Sequence, residues 1–167
     1  MDVNDLILEV LESLSSQLKD HRIETRTDLR SKLPPVSGNR SQLQQVVSNL
    51  IINSIEAMET TTVQGRVLQV RTEIRGHKIV VAVEDSGPGI DKDQLGNVFT
   101  AFVTTKPNGM GLGLAISRMI IDYHGGKLTA AADSKYGGAS FQFRLKRRAG
   151  DNSARAGRKF RPRRAFI

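Results

Sequence analysis

Apolar residues at Val3, Ile7, Val10, Leu11, Leu14 and Leu18 recur at helical spacing, which predicts an amphipathic helix over residues 2–18 with Asp2 or Asn4 as its cap. Such a helix needs a surface to lie on. Residues 22–29 alternate charged side chains with Ile23, Thr25 and Thr27, the pattern of an edge strand, and Leu33-Pro34-Pro35-Val36-Ser37-Gly38 then breaks the chain. Asn39 or Ser41 is placed to cap a second helix over residues 42–58, most of whose surface is apolar: Leu43, Val46, Val47, Leu50, Ile51 and Met58. Residues 66–75 and 78–84 are rich in β-branched residues and are separated by Gly76-His77, a hairpin signal. A third helix is expected over residues 111–124, closed by Gly125-Gly126. Strands over 127–132 and 139–145, divided by Tyr136-Gly137-Gly138, complete five strands and three helices. That order predicts an α/β (α+β) two-layer sandwich, a mixed five-stranded sheet with the three helices on one face.

The second helix carries the first chemical clue. Steps of four and seven residues at about 100° each place Asn49, Asn53 and Glu56 in one narrow stripe. Asparagine is a poor helix former, and on a helix that is otherwise buried such a stripe must face something that satisfies it: neighbouring backbone, a ligand or a metal ion.

Composition narrows the field only a little. The 167 residues contain 38% hydrophobic residues, enough for one core, and no internal repeat. No run of about 18 apolar residues and no secretion leader is visible, so the expected location is cytoplasmic, or the cytoplasmic part of a membrane-bound bacterial sensor. With no cysteine there is no thiolate metal site, disulfide or cysteine nucleophile. The net charge of +8 would suggest a nucleic-acid partner if it were spread over the fold. It is not. Residues 146–167 hold nine basic residues against Asp151 alone, which accounts for the whole excess. The expected division is therefore a neutral domain over residues 1–145 and a basic tail over 146–167. That tail has too few bulky apolar residues to order itself alone, and no specific nucleic acid is expected as partner.

Two more segments bear chemistry. After the apolar run 79–84 comes Asp85-Ser86-Gly87-Pro88-Gly89-Ile90, a carboxylate at the end of a buried strand followed by glycines that let a ligand approach the backbone. By itself such a turn is weak evidence. Thr104-Thr105-Lys106-Pro107-Asn108-Gly109-Met110-Gly111-Leu112-Gly113-Leu114 then runs through alternating glycines into a helix. Free N–H groups at a helix start, glycines and a lysine make a phosphate-binding composition. The spacing is neither the Rossmann fingerprint nor a P-loop.

Together these segments resemble the GHKL superfamily of ATP-binding domains, and within it the catalytic domain of sensor histidine kinases. Residues 45–58, QVVSNLIINSIEAM, look like the N box, residues 85–90 like G1, residues 108–116, NGMGLGLAI, like G2, and Phe99-Thr100-Ala101-Phe102 like the F box. Ala101 departs from the commoner proline or glutamate, and the loop from Phe102 to Gly109 is short. The resemblance implies a Bergerat fold with ATP and Mg²⁺ held between the asparagine helix and a lid. It implies that Asn53 is the Mg²⁺ ligand and that Asn49 supports it or touches phosphate. Asp85 would hold the adenine amino group, helped by the Ser140 hydroxyl. Gly87, Gly89 and Ile90 would shape the base pocket, and Thr104, Thr105, Lys106, Gly109, Met110, Gly111, Leu112, Gly113 and Leu114 the phosphate cradle. Phe99 and Phe102 would pack the lid, and Glu56 has no assigned task.

The resemblance also separates functional classes at one position. Superfamily members that hydrolyse ATP typically carry a glutamate general base where this chain has Asn49, and an amide cannot accept a proton from attacking water. The implied acceptor is a histidine on a separate dimerisation and phosphoacceptor domain, with a response regulator downstream and a membrane involved only through a sensor region outside this chain. His21, His77 and His124 are each expected to be structural. The alternatives are a nucleotide-binding pseudokinase or interaction module and an anti-sigma-type serine kinase.

Overall fold

The computed structural model describes residues 1–103 and 110–148. Five strands form one sheet: β1 (Glu24–Leu29), β2 (Val67–Arg75), β3 (Lys78–Asp85), β4 (Lys127–Ala131) and β5 (Ser140–Lys146). Their spatial order is β1-β2-β3-β5-β4, with β1 parallel to β2 and all other pairs antiparallel. The central strand β3 is apolar from Ile79 to Val83, and in register Val83 faces Val70 and Phe141 while Val81 faces Phe143. Because side chains alternate along a strand, Leu68, Val70, Ile79, Val81, Val83, Phe141, Phe143 and Leu145 all point to one face. There they form a single core with the helices.

Three stretches of chain cover that face, as expected, but the first of them is two helices. α1 (Val3–Ser13) and α2 (Ser15–Asp20) are interrupted at Leu14, whose ψ of 5° leaves the helical range. The Ser13 hydroxyl donates to the Val10 carbonyl at 2.8 Å, a local bond that competes with the helical ladder in a serine-rich stretch. Asp2 is the cap, accepting from the Asn4 N–H at 2.8 Å. α3 (Arg40–Met58) starts two residues earlier than the apolar pattern suggested and is capped by Asn39, not Ser41. Glu9 on α1 ties the two together through Arg40 at 2.7 Å and Gln44 at 3.0 Å. α4 is Gly113–Tyr123, and a single 3-10 turn at Lys92–Gln94 was not foreseen.

The expected boundary at Leu145 falls short of the fold. β5 continues through Lys146, Arg147 bridges to Val36, and the Arg148 N–H donates to the Pro35 carbonyl at 2.8 Å. The remainder of the basic tail, and Thr104, Thr105, Lys106 and Gly109 of the expected phosphate cradle, lie outside the described residues.

Candidate functional site

α3 is fixed at both ends before any ligand is considered. At its start the Asn39 N–H donates to His124 Nε2 at 3.0 Å, and His124 Nδ1 donates to the Ile120 carbonyl at 2.7 Å. The imidazole therefore works as a neutral tautomer that ties the end of α4 to the beginning of α3. At its other end Arg66, almost fully buried, donates to the carbonyls of His21, Glu59 and Thr61, satisfying carbonyls at the end of the helix.

Between those anchors one stripe of α3 faces the functional segments. Asn49 Nδ2 donates to the Gly113 carbonyl and to the buried Ser117 hydroxyl, both at 3.3 Å. Its two amide hydrogens are thus committed to the first turns of α4. These bonds tie α3 to the start of α4. While those bonds hold, its amide has no hydrogen left for a phosphate. Asn53 lies one turn further along, half-buried. Ala57 lies one turn beyond it, where a Cβ added to Gly87 would come within 3.3 Å of its methyl. From Asn49 to Ala57 the stripe is about 12 Å long at 1.5 Å per residue.

Asp85 ends β3 and is 1% exposed. Its Oδ1 accepts from the Gly87 N–H at 2.9 Å and the Ala139 N–H at 3.1 Å. Burial raises its pKa above the ordinary 3.8, opposed by these two N–H bonds and by the Ser54 hydroxyl from α3. A carboxylate offers about four acceptor positions, so two N–H bonds leave room for a further donor. The surrounding turn is held as closely: the Gly138 N–H and the Ser134 hydroxyl both donate to the Asp85 carbonyl. Gly89 has φ of +79°, and a Cβ there would sit 2.8 Å from the Ala132 carbonyl, so this position needs glycine on both counts. Ile90 follows, its N–H donating to the same carbonyl at 3.3 Å.

Ser140 does not join this cluster. In register it lies opposite Glu84, which puts its side chain on the face away from Asp85. The groups that hold the aspartate are instead the Gly87 and Ala139 backbone N–H groups, with Ser54 on α3 nearby. Sequence reasoning missed Ser54 because it sits among apolar residues on α3, where a small hydroxyl bonded to the Leu50 carbonyl at 3.1 Å draws no notice. It likewise treated Gly138 as a turn residue, whereas a Cβ there would collide with the Asp85 carboxylate, the Asp85 carbonyl and the Gly87 nitrogen.

The described flanks of the glycine loop meet each other. The Phe102 N–H donates to the Gly111 carbonyl at 3.1 Å, and Gly111, at φ of +67°, lies so close that a Cβ would come within 2.8 Å of Phe102 and Val103 backbone. Leu112, Gly113 and Leu114 are half-buried beside α3, whereas Met110 is exposed. Phe99 packs edge-on against Phe141 at 6.4 Å with Arg118 over its ring. Phe102 does not pack: it is 77% exposed. Next to the Asp85 turn an apolar cleft of about 380 Å³ is lined by Gly89, Ile90, Val98, Val103, Leu114 and Phe141 among others.

All three histidines are tied up structurally. His21 bridges the Gln17 carbonyl and Glu59 at 2.8 Å each, and His77 accepts from Arg147 at 2.9 Å in the β2–β3 hairpin. Among the described residues no cluster of three or more His, Cys, Asp or Glu side chains could hold a metal, and no helix is long and apolar enough to cross a membrane.

Comparison with known proteins agrees with this geometry. A family model described as histidine kinase-, DNA gyrase B-, and HSP90-like ATPase matches residues 38–149. Among curated relatives, the sensor protein TdiS of Thauera aromatica is 35% identical over 86% of the chain and 26% of its own length. The sensor protein FixL of Bradyrhizobium diazoefficiens is 43% identical over 73% of the chain and 25% of its own length. The chain thus spans about a quarter of these relatives. Among solved structures, the catalytic domain of histidine kinase ThkA superposes with a TM-score of 0.77 at 31% identity, over 88% of this chain and 93% of that one. ThkA is also known in complex with the response regulator protein TrrA, and that structure matches 89% of this chain and 41% of its own at a TM-score of 0.74 and 28% identity.

Proposed function

The chain belongs to the histidine kinase-, DNA gyrase B-, and HSP90-like ATPase family and is an ATP-binding catalytic domain of the sensor histidine kinase kind, and from that premise we propose how its residues divide the work. The nucleotide lies along the polar stripe of α3, adenine toward Asp85 and phosphates toward the start of α4. One observation carries this reading: a single helix face joins a buried carboxylate with spare acceptor capacity to the glycine turn that opens α4. Asp85 accepts from the exocyclic amine of adenine, and its existing N–H bonds fix the carboxylate before the base arrives. Gly87, Gly89 and Ile90 shape the base side, with the apolar cleft beside them, and Gly111 to Leu114 bring helix N–H groups toward the phosphates. Lys106, Thr104, Thr105 and Gly109 are assigned to phosphate binding by the sequence resemblance alone.

The donor chemistry fits a magnesium ion. Asn53 presents a neutral amide oxygen, a hard ligand of the kind that shares such an ion with phosphate oxygens and water. Bound there, the ion would neutralise charge on the phosphates. Asn49 positions α4, and it cannot serve as a base for water. The γ-phosphate is therefore destined for a histidine on a separate dimerisation domain, and from there for a response regulator. This chain's own task is to bind, orient and shield the nucleotide.

Titration calorimetry with Mg·ATP tests the assignment. The wild-type chain should bind, Asn53→Ala should lose the magnesium-dependent part of the affinity, and Asp85→Asn should bind about ten to a hundredfold more weakly, as expected when a charged acceptor is lost. Failure of the wild type to bind, or unchanged affinity in Asp85→Asn, would sink the reading.

A further inference from the structure

The sheet ends in an open edge at β1. This strand is paired with β2 alone, and Glu24, Thr25, Arg26, Thr27 and Asp28 are all exposed, so the helix layer does not cover it on either face. The bonds it makes inward fix the direction of its free groups. The Glu24 N–H donates to the Arg66 carbonyl and the Arg30 N–H to the Thr72 hydroxyl, both at 2.9 Å. Backbone groups alternate in direction along a strand, so Glu24, Arg26, Asp28 and Arg30 aim theirs at β2, while Thr25, Thr27 and Leu29 turn their N–H and carbonyl groups outward. Such a row is a template for another strand.

The side chains decide which strand fits. Glu24, Arg26, Asp28 and Arg30 alternate in sign along the face of the sheet turned away from the helices, and the Asp28 and Arg30 side chains have no ion-pair partner among the described residues. We propose that β1 is a pairing edge for a second copy of this chain, the two sheets joining antiparallel about a two-fold axis at Thr27. That register sets Glu24 opposite Arg30 and Arg26 opposite Asp28, so all four charges of each copy meet the opposite sign. Thr27 meets itself and Thr25 meets Leu29 in the hydrogen-bonded positions, which leaves the charges in the positions where side chains lie closest. An axis at Arg26 would set Arg26 against itself and Glu24 against Asp28, and one at Asp28 would set Arg26 against Arg30; like charges so placed are unfavourable. An axis at Thr25 or Leu29 leaves at most three residues of β1 paired, because the strand ends at Glu24 and Leu29. Within one chain Arg26 already donates to Glu24 at 2.7 Å, but that pair is exposed and weak, and a guanidinium has donors to spare for Asp28 of the second copy. Two short strands bury less than the roughly 1,200 Å² at which stable interfaces begin, so the pairing is weak in free solution. It gains from any tether that holds two copies at an effective concentration of about 1 mM. It rests on β1 alone and is independent of the nucleotide assignment.

Sedimentation equilibrium of the full chain between about 10 μM and about 1 mM spans the range in which so small an interface associates. The wild type should pass from monomer toward dimer, less so at about 1 M salt than at about 0.05 M. Arg26→Asp and Asp28→Arg each turn two opposite-charge pairs of the dimer into like-charge pairs and should weaken association about tenfold. The exchanged double variant, Arg26→Asp/Asp28→Arg, restores every pair and should return to within about threefold of the wild type. Thr27→Pro removes an N–H that makes no bond inside the domain, so it should fold and stay monomeric. A wild type that is monomeric throughout, a single charge variant that dimerises like the wild type, an exchanged variant that fails to recover, or a folded Thr27→Pro that still dimerises would each overturn the proposal.

Discussion

Replacing Gly138 by alanine probes how tightly the adenine aspartate is held. The added methyl would meet the Asp85 carboxylate, the Asp85 carbonyl and the Gly87 nitrogen all at once. Two of those three atoms are backbone, so a rotamer change cannot relieve the overlap. Something in the turn must move, and the Gly138-to-Asp85 and Ala139-to-Asp85 hydrogen bonds, each 3.1 Å, are the ones in the way. Overpacking a tight site costs about 1–3 kcal/mol. Loosening a hydrogen bond adds about 1 kcal/mol. A domain of this size loses roughly 3 °C per kcal/mol, so Gly138→Ala should melt about 6–12 °C below the wild type. Its affinity for Mg·ATP should fall at least tenfold, since the carboxylate oxygen is displaced from the position that receives the base. Gly137→Ala is the matched control. It has φ of +89° but nothing within 4 Å of an added Cβ, so it carries backbone strain of about 1 kcal/mol and no collision. Thermal denaturation followed by circular dichroism, with calorimetry on both variants, separates the two effects. If Gly138→Ala melts no lower than Gly137→Ala and binds nucleotide like the wild type, the account of how Asp85 is fixed is wrong.

Three further outcomes follow from the same geometry. Asn49→Asp keeps the size of the side chain but sets an acceptor against the Gly113 carbonyl; it should cost about 2 kcal/mol and weaken nucleotide binding, and calorimetry showing wild-type affinity would refute the anchoring role of the amide. His124→Ala removes the bond from the Asn39 N–H and the His124 bond to the Ile120 carbonyl within α4, and should cost about 1 kcal/mol in a melting experiment, yet leave Mg·ATP affinity within about twofold, because the anchor lies away from the site. A tenfold affinity loss without a melting change would contradict that. The Gln17 carbonyl and then Glu59 hold the His21 pKa above its ordinary 6.5 against burial. With a raised folded pKa the interaction stabilises fully below about pH 6.5 and is lost as pH rises through the folded value, so Glu59→Gln should lower the melting temperature more at about pH 6 than at about pH 8.5. An equal effect at both would exclude the charged pair.

Why part of this was legible in the sequence, and part was not, comes down to how far each signal reaches. The five strands and the hairpin at Gly76-His77 follow from alternation and turn chemistry, which are local. The Asn49–Asn53 stripe was legible for the same reason: polar residues repeating every turn on a buried helix are visible without any partner. What the partners are is not local. Asn49 bonds to Gly113 and Ser117, more than sixty residues away, a pairing no local pattern shows. The break at Leu14 is a near miss of another kind, since every residue around it fits one helix and the interruption is a single residue.

Ser140 shows the limit most directly. Its motif is right in composition, but a strand turns successive side chains to opposite faces, and one residue of register decides whether a hydroxyl meets Asp85 or points away from it. The same alternation gathers Lys78, Lys127, Arg144 and Lys146 on one face, although as a sequence they are scattered single charges. The two ends of the sheet thereby differ in kind. At the Asp85 end, buried polar groups are matched one by one, because an unpaired group there would cost the fold directly. At the Lys78 end like charges oppose each other across the strands, a cost small enough for a solvent-exposed surface to carry. Neutralising those charges, as in Lys78→Gln/Lys127→Gln/Lys146→Gln, should therefore raise the melting temperature of the isolated domain slightly. If instead the triple glutamine variant melts lower than the wild type, those cations stabilise the fold and the like-charge argument is wrong.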